Sequence, residues 1–288
     1  MTIMPTSVKI VECPRDAMQG WPDFIPTTDK IEYLNALLKV GFDTLDFGSF
    51  VSPQAIPQMR DTAEVLSGLQ LDKTSTSLLA IVANLRGAQD ASSFDQIRYL
   101  GYPFSVSETF QQRNTNSSMQ ESLHRVEEIV SLCSTTGKEP VIYISMGFGN
   151  PYGDAWSPDI VIHWVKRLAE MGVKIIALAD TVGVSTRESI THLFSSLIPE
   201  VKGVEFGAHL HSHPDSWLEK VEAAYNSGCR RFDSAFKGIG GCPMADDRLV
   251  GNLATEQLIA HFGGSSALGF SSAAITNAMG LAGRIFHA

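Results

Sequence analysis

Short apolar runs of about five to eight residues alternate along this chain with amphipathic stretches of about ten to eighteen. The runs that read as strands are Val8–Cys13, Thr44–Phe50, Ser77–Ala83, Tyr102–Ser107, Val141–Ser145, Lys174–Ala179, Val204–His209 and Arg231–Ala235. Helical spacing fills the stretches between them, as in Thr28–Val40, Ser118–Ser134, Pro158–Met171, Arg187–Leu197, Asp215–Ser227 and Thr255–Phe262. Gly41, Gly172 and Gly228 stand just before three of the strands, where a left-handed residue ends a helix. Strands apolar on both faces, each followed by a helix, predict a parallel sheet covered by helices. Eight such units predict an α/β fold of the (β/α)8 TIM-barrel type, with a doubly wound open sheet as the competing architecture. With no linker or low-complexity segment, residues 1–288 read as a single TIM-barrel domain with a small C-terminal helical extension.

Composition narrows the function classes. The length of 288 residues suits a barrel of about 250, and 44% hydrophobic residues supply a large core. Thirty-one acids against 22 bases give a net charge of −9, which argues against a nucleic acid or an anionic membrane surface as partner. Cys13, Cys133, Cys229 and Cys242 form no CxxC pair and read as reduced thiols. The first residues carry no basic segment followed by an apolar one, and no run approaches the roughly 18 apolar residues of a membrane span. The expectation is a soluble cytoplasmic protein.

A barrel places its chemistry at the C-terminal ends of the strands, so the polar residues there are the informative ones. The seventh strand ends in His209-Leu210-His211, whose imidazoles share one face because side chains alternate along a strand. Such a pair suits a divalent ion, or else forms two hydrogen-bonded histidines in a polar loop. The first strand ends in Cys13-Pro14-Arg15-Asp16, offering a hard anionic ligand beside an arginine that can bind a carboxylate or an oxyanion. After the eighth strand, Lys237 leads into Gly-Ile-Gly-Gly and Cys242, a loop suited to a phosphate cradle or a lid, with a thiol poised for proton transfer. Asn252 precedes a helix and reads equally as a turn or cap residue. Asp46 and Asp180, near the ends of the second and sixth strands, read as orienters of histidines, bases or loop caps. His124, His163, His192, His261 and His287 fall on helical or terminal segments and read as structural, while His213 stays open.

These pieces resemble the hydroxymethylglutaryl-CoA lyase family of metal-dependent TIM-barrel enzymes. The resemblance runs from Val8-Lys-Ile-Val-Glu-Cys-Pro-Arg-Asp-Ala-Met-Gln19 through Ser49-Phe-Val-Ser-Pro53, Ser107-Glu108, Asn114-Thr-Asn116 and Asn150-Pro-Tyr-Gly153. It continues in Asp180-Thr-Val-Gly183, His209-Leu-His211, Gly238-Ile-Gly-Gly-Cys-Pro243 and Gly251-Asn-Leu-Ala-Thr-Glu256. The cysteine loop looks like the lyases rather than the related synthases. The resemblance implies Asp16, His209, His211 and Asn252 as ligands of one divalent cation, Mg2+ or Mn2+. It implies Arg15 as the complement to a developing enolate, Cys242 in proton transfer, His209 as a candidate base, and Asp46 and Asp180 as supporting acids. Gln19, Ser49, Glu108, Asn114 and Tyr152 become expected substrate contacts.

The implied reaction cleaves 3-hydroxy-3-methylglutaryl-CoA to acetyl-CoA and acetoacetate, with an acyl-CoA as partner and a homodimer as the expected assembly. Several positions depart from the family pattern. Cys13 and Ala17 stand where the family usually has glycine, Asp46 where it has glutamate, Leu210 where it has cysteine, and Asn150 where it has cysteine. None removes an expected ligand, but they leave a related acyl-CoA or free hydroxy acid open as substrate. The competing readings are a Claisen-type synthase of the same superfamily and a non-catalytic barrel that binds an acyl-CoA.

Overall fold

The computed structural model of the protein describes residues 8–241 and 250–287. Eight parallel strands run in chain order: β1 (Lys9–Glu12), β2 (Thr44–Ser49), β3 (Ser77–Ile81), β4 (Ile97–Ser105), β5 (Glu139–Ser145), β6 (Ile175–Asp180), β7 (Glu205–Ser212) and β8 (Arg231–Ser234). Each pairs with the next, and β8 pairs with β1 through Ile10↔Phe232 and Glu12↔Ser234, so the sheet closes on itself. A two-residue strand, β9 (Gly251–Asn252), lies antiparallel on the end of β7. The expected (β/α)8 barrel is therefore present.

Helices cover the outside: α1 (Pro14–Gln19), α2 (Thr27–Leu37), α3 (Thr62–Ser67), α4 (Leu85–Ser92), α5 (Glu108–Thr115) and α6 (Met119–Thr136) in the first half. The second half adds α7 (Pro158–Glu170), α8 (Arg187–Glu200), α9 (Trp217–Asn226), α10 (Thr255–His261), α11 (Gly264–Leu268) and α12 (Ser272–Phe286). Six of the twelve described helices start on a side-chain cap, as where Ser118 and Glu121 form a reciprocal capping box on α6. The C-terminal α12 returns to the first unit: Ser271 N donates to Val40 O, and Phe286 meets Trp21 edge to face at 5.3 Å. Among the described residues no helix is long and apolar enough to cross a membrane.

β4 begins five residues before the expected Tyr102 and carries Pro103 inside it. The proline, which the expected run also contained, costs no ladder bond. Gly101 gives its carbonyl to Val82 on the β3 side, Pro103 faces the same side two residues on, and β3 pairing has already ended at Ile81↔Gly101.

The strands divide their side chains by parity. On β7, Phe206, Ala208 and Leu210 join the core under the helices, while Glu205, Gly207, His209 and His211 fall on the other face. Inside the barrel, Leu79, Tyr99, Val141, Tyr143, Ile175 and Ala177 form a separate apolar cluster. The polar residues above this plug form the site.

Candidate metal centre at the barrel mouth

β1 ends at Glu12, and Pro14 starts α1 at once, its fixed φ suited to a first helical turn. That abrupt turn leaves Arg15 and Asp16 buried at the strand ends instead of out on the surface. Arg15 grips Asp46 on β2 with Nε at 3.0 Å and Nη2 at 2.6 Å, and its Nη1 donates to Asp16 Oδ1 at 3.2 Å and to Gln19 Oε1 at 2.7 Å. Gln19 Nε2 in turn donates to Asp16 Oδ1 at 3.1 Å. Asp16 is thus fixed from one side, with its other oxygen accepting from Asn252 Nδ2 at 2.7 Å.

Asn252 reaches this place through β9, whose pairing His211↔Asn252 sets it beside the second histidine. It does not cap α10, whose N-cap is Ala254. Its Nδ2 also donates to Ile239 O at 2.9 Å, tying it to the glycine-rich loop. Gly240 there has φ of +106°, and a Cβ on it would sit 2.5 Å from Asn252 Nδ2. Only glycine allows both that backbone and that approach.

Strand parity aims both histidines inward, and their rings lie 5.2 Å apart at 62°. His209 Nδ1 meets Asp233 Oδ2 on β8 at 3.1 Å, and His211 Nδ1 meets Thr181 O at 3.0 Å. Each partner is an acceptor, which selects the Nδ1–H tautomer and leaves Nε2 as the lone-pair nitrogen. His211 Nε2 is buried with no hydrogen-bond partner. One ligand atom from each of Asp16, His209 and His211 lies within 4.8 Å of the others. A buried, unpartnered imidazole nitrogen beside a carboxylate fits a divalent cation well, since such a group is costly to bury without a partner.

The electrostatics agree. Burial raises the Asp16 carboxyl, but Arg15 and the two imidazoles outweigh it and hold the group below its ordinary value. Burial depresses His209, yet the Asp233 bond and charge leave it more basic than an ordinary imidazole. His211 is less basic, from burial first and then the neighbouring His209. Asp46 is pushed up to about 6, by burial above all, against the pull of Arg15.

The other expected residues are placed differently. Asp180 is fully buried and its oxygens are occupied: Oδ1 by Val184 N at 2.9 Å, and Oδ2 by Ser185 N at 3.0 Å and Lys220 Nζ at 2.7 Å. These bonds tie down the loop that follows β6, in keeping with the loop-cap role among those expected of it. Ser49 is buried at the end of β2, its Oγ without a partner. Glu108 opens α5, is exposed, and accepts from Met119 N at 3.0 Å, so its carboxylate is used outside the cluster. Asn114 lies on the same helix, and Tyr152 stacks on Phe110 with ring centroids 6.4 Å apart. Cys242 lies outside the described residues. Asp233 was not among the expected residues. Its signal was available, since it falls two residues after Arg231 on a strand whose inward parity it shares.

A closed (β/α)8 barrel whose strand ends gather a carboxylate, two imidazoles and a carboxamide belongs to the class of barrels with a metal-type site at the C-terminal face. The HMGL-like family model matches residues 7–271, and the chain belongs to that family. It is 36% identical over 259 residues to the cytoplasmic 3-hydroxy-3-methylglutaryl-CoA lyase of Rattus norvegicus, covering 89% of this chain and 74% of the relative. It is 35% identical to the mitochondrial hydroxymethylglutaryl-CoA lyase of Bos taurus, covering 88% and 78%. Among solved structures, an HMG-CoA lyase from Acinetobacter baumannii, in complex with coenzyme A and 3-methylmalate, superposes with a TM-score of 0.89 at 29% identity. That match covers 99% of this chain and 93% of the other.

Proposed function

We propose that this chain is a divalent-cation-dependent carbon–carbon lyase that cleaves 3-hydroxy-3-methylglutaryl-CoA to acetyl-CoA and acetoacetate. The observation that carries the reading is the convergence of Asp16, His209 and His211, with Asn252 bonded to Asp16 and the His211 Nε2 left without a partner. Two supports for the substrate are the activity in the names of the rat and bovine relatives and the coenzyme A bound to the Acinetobacter structure.

Asp16, His209, His211 and Asn252 would hold the cation, and a mixed oxygen and imidazole set suits Mg2+ or Mn2+. When bound, it supplies Lewis acidity toward the substrate's hydroxyl and carboxylate oxygens. The remaining chemistry falls to the chain. Arg15 is a fixed positive charge, immobilised by Asp46 and Gln19, and complements the enolate oxygen as the C2–C3 bond breaks. The 3-hydroxyl proton goes to a base outside the ligand set, since the Nε2 of His209 would be spent on the cation, and Asp46, raised to about 6, is assigned to it. The C2–C3 bonding pair moves onto the thioester's α-carbon, C3 becomes the ketone of acetoacetate, and a proton from Cys242 completes acetyl-CoA. Ser49, with a free hydroxyl at the end of β2, and Gln19 are the proposed substrate contacts.

Coupled detection of acetyl-CoA tests the reading. Purified protein is expected to release it from 3-hydroxy-3-methylglutaryl-CoA with Mg2+ or Mn2+ and to stop with chelator. No release with either cation would overturn the assignment.

A further inference from the structure

Lys220 lies on α9, outside the barrel, yet it is only 6% exposed. Its ammonium makes three bonds, all to the two strand ends that flank His211. Nζ donates to Asp180 Oδ2 at 2.7 Å, to Gly183 O at 3.0 Å and to the main-chain oxygen of His211 itself at 2.9 Å. Three donors meet three acceptors, so the buried charge is fully satisfied. The same loop holds the ring of His211, through Thr181 O on Nδ1. The main chain and the side chain of one histidine are therefore both fastened to residues 180–183.

We propose that Lys220 is a positioning residue for His211, fixing the distance between the ends of β6 and β7 so that the Nε2 of His211 stays aimed into the Asp16–His209 cluster. The inference rests on the cation site of the preceding section. Without the ammonium, Asp180 would keep a buried negative charge whose remaining partners, Val184 and Ser185, lie on its own loop. Nothing else among the described bonds of Asp180 crosses to β7 or α9. The two strands would still pair, through Asp180↔Leu210, but that register ends one residue short of His211. Beyond it, the strand end is held by Lys220 on one side and by β9 on the other. A buried ion pair of this kind adds little to net stability compared with apolar packing, and its contribution is to orientation.

The test is cation affinity. Mn2+ titration followed by electron paramagnetic resonance on chelator-treated protein gives a dissociation constant independent of turnover. Lys220→Met is expected to weaken Mn2+ binding about 10- to 100-fold, the usual effect of losing a group that orients a metal-ligating histidine. At saturating Mn2+ its kcat should return to near the parent value, with KM for the thioester unchanged. Lys220→Arg, which keeps a buried cationic donor, should recover part of the affinity. Circular dichroism establishes that each variant is folded, and if Lys220→Met is not, Lys220→Gln carries the same comparison. A folded variant with the parent's Mn2+ affinity overturns the inference. If the parent binds Mn2+ but releases no acetyl-CoA, the lyase reading fails while the positioning role is still measured.

Discussion

Glu12 offers the sharpest test of how the barrel mouth is held together. It is fully buried at the end of β1 and meets no cation among its described hydrogen bonds. Phe236 N donates to Oε1 at 3.0 Å, and Thr255 Oγ1 donates to Oε2 at 2.5 Å while also bonding Ser234 Oγ at 2.8 Å. One carboxyl thus joins the strand that leads to Asp16, the start of the glycine-rich loop, and the helix that follows Asn252. Burial pushes Glu12 from its ordinary 4.5 to about 8, the two hydrogen bonds notwithstanding, and the nearby Glu256 adds to the rise. The folded state therefore holds a proton that the unfolded chain has lost between these values. A group with a raised folded pKa contributes stability that is complete below about 4.5 and is lost as pH climbs to about 8.

One proton corresponds to about 1.4 kcal/mol per pH unit, so the full span is worth about 3–5 kcal/mol. Glu12→Gln should remove this dependence while keeping the shape. The amide oxygen can accept from Phe236 N, and the amide nitrogen can donate to Thr255 Oγ1, whose proton then turns to Ser234. Urea unfolding from pH 5 to pH 9, in chelator so that cation binding does not contribute, gives both stability curves. Asp46, raised to about 6, tilts both curves alike in the lower part of the range, so their difference isolates Glu12. The variant is expected to gain steadily on the parent and to exceed it by about 3 kcal/mol at the alkaline end. Parallel curves would refute the reasoning, because Glu12 would then be ionised in the fold at no cost.

Four further outcomes are expected. His211→Ala should lose cation and turnover together; unchanged cation content by elemental analysis would remove His211 from the ligand set. Asp233→Asn, which takes away the carboxylate that fixes the His209 tautomer, should lower kcat and Mn2+ affinity by about 10- to 100-fold with thermal stability largely kept. Gly240→Ala places a methyl 2.5 Å from Asn252 Nδ2 on a left-handed backbone, and weaker Mn2+ binding by isothermal titration is the measured consequence. Cys242→Ser should cost about 10²- to 10⁴-fold in turnover, as for a lost general acid, with cation content still near one per chain; full activity would exclude the thiol.

What could be read ahead of the structure was whatever depends on local geometry. The alternation of runs predicted the barrel, and strand parity alone put His209 and His211 on one face with Leu210 on the other, as β7 shows. Asp16 followed from its place just past a strand. Asn252 did not, because its position is set by β9 pairing back onto β7, a contact between segments some forty residues apart, and locally it looks like any helix cap. Lys220 was hidden for a related reason. A lysine in an amphipathic stretch reads as a solvent-facing charge, and its buried acceptors lie on other strands. Asp180 marks a deeper ambiguity. Strand ends need carboxylates both for chemistry and for tying down the loop that follows, and both demands select the same residue at the same place. Asp16 and Asp180 are alike in sequence context and both buried, yet one lies among ligand-type atoms of His209 and His211 and the other is saturated by Val184, Ser185 and Lys220. What separates a candidate ligand from an anchor is which lone pairs are already spent, and that depends on partners the local sequence does not contain.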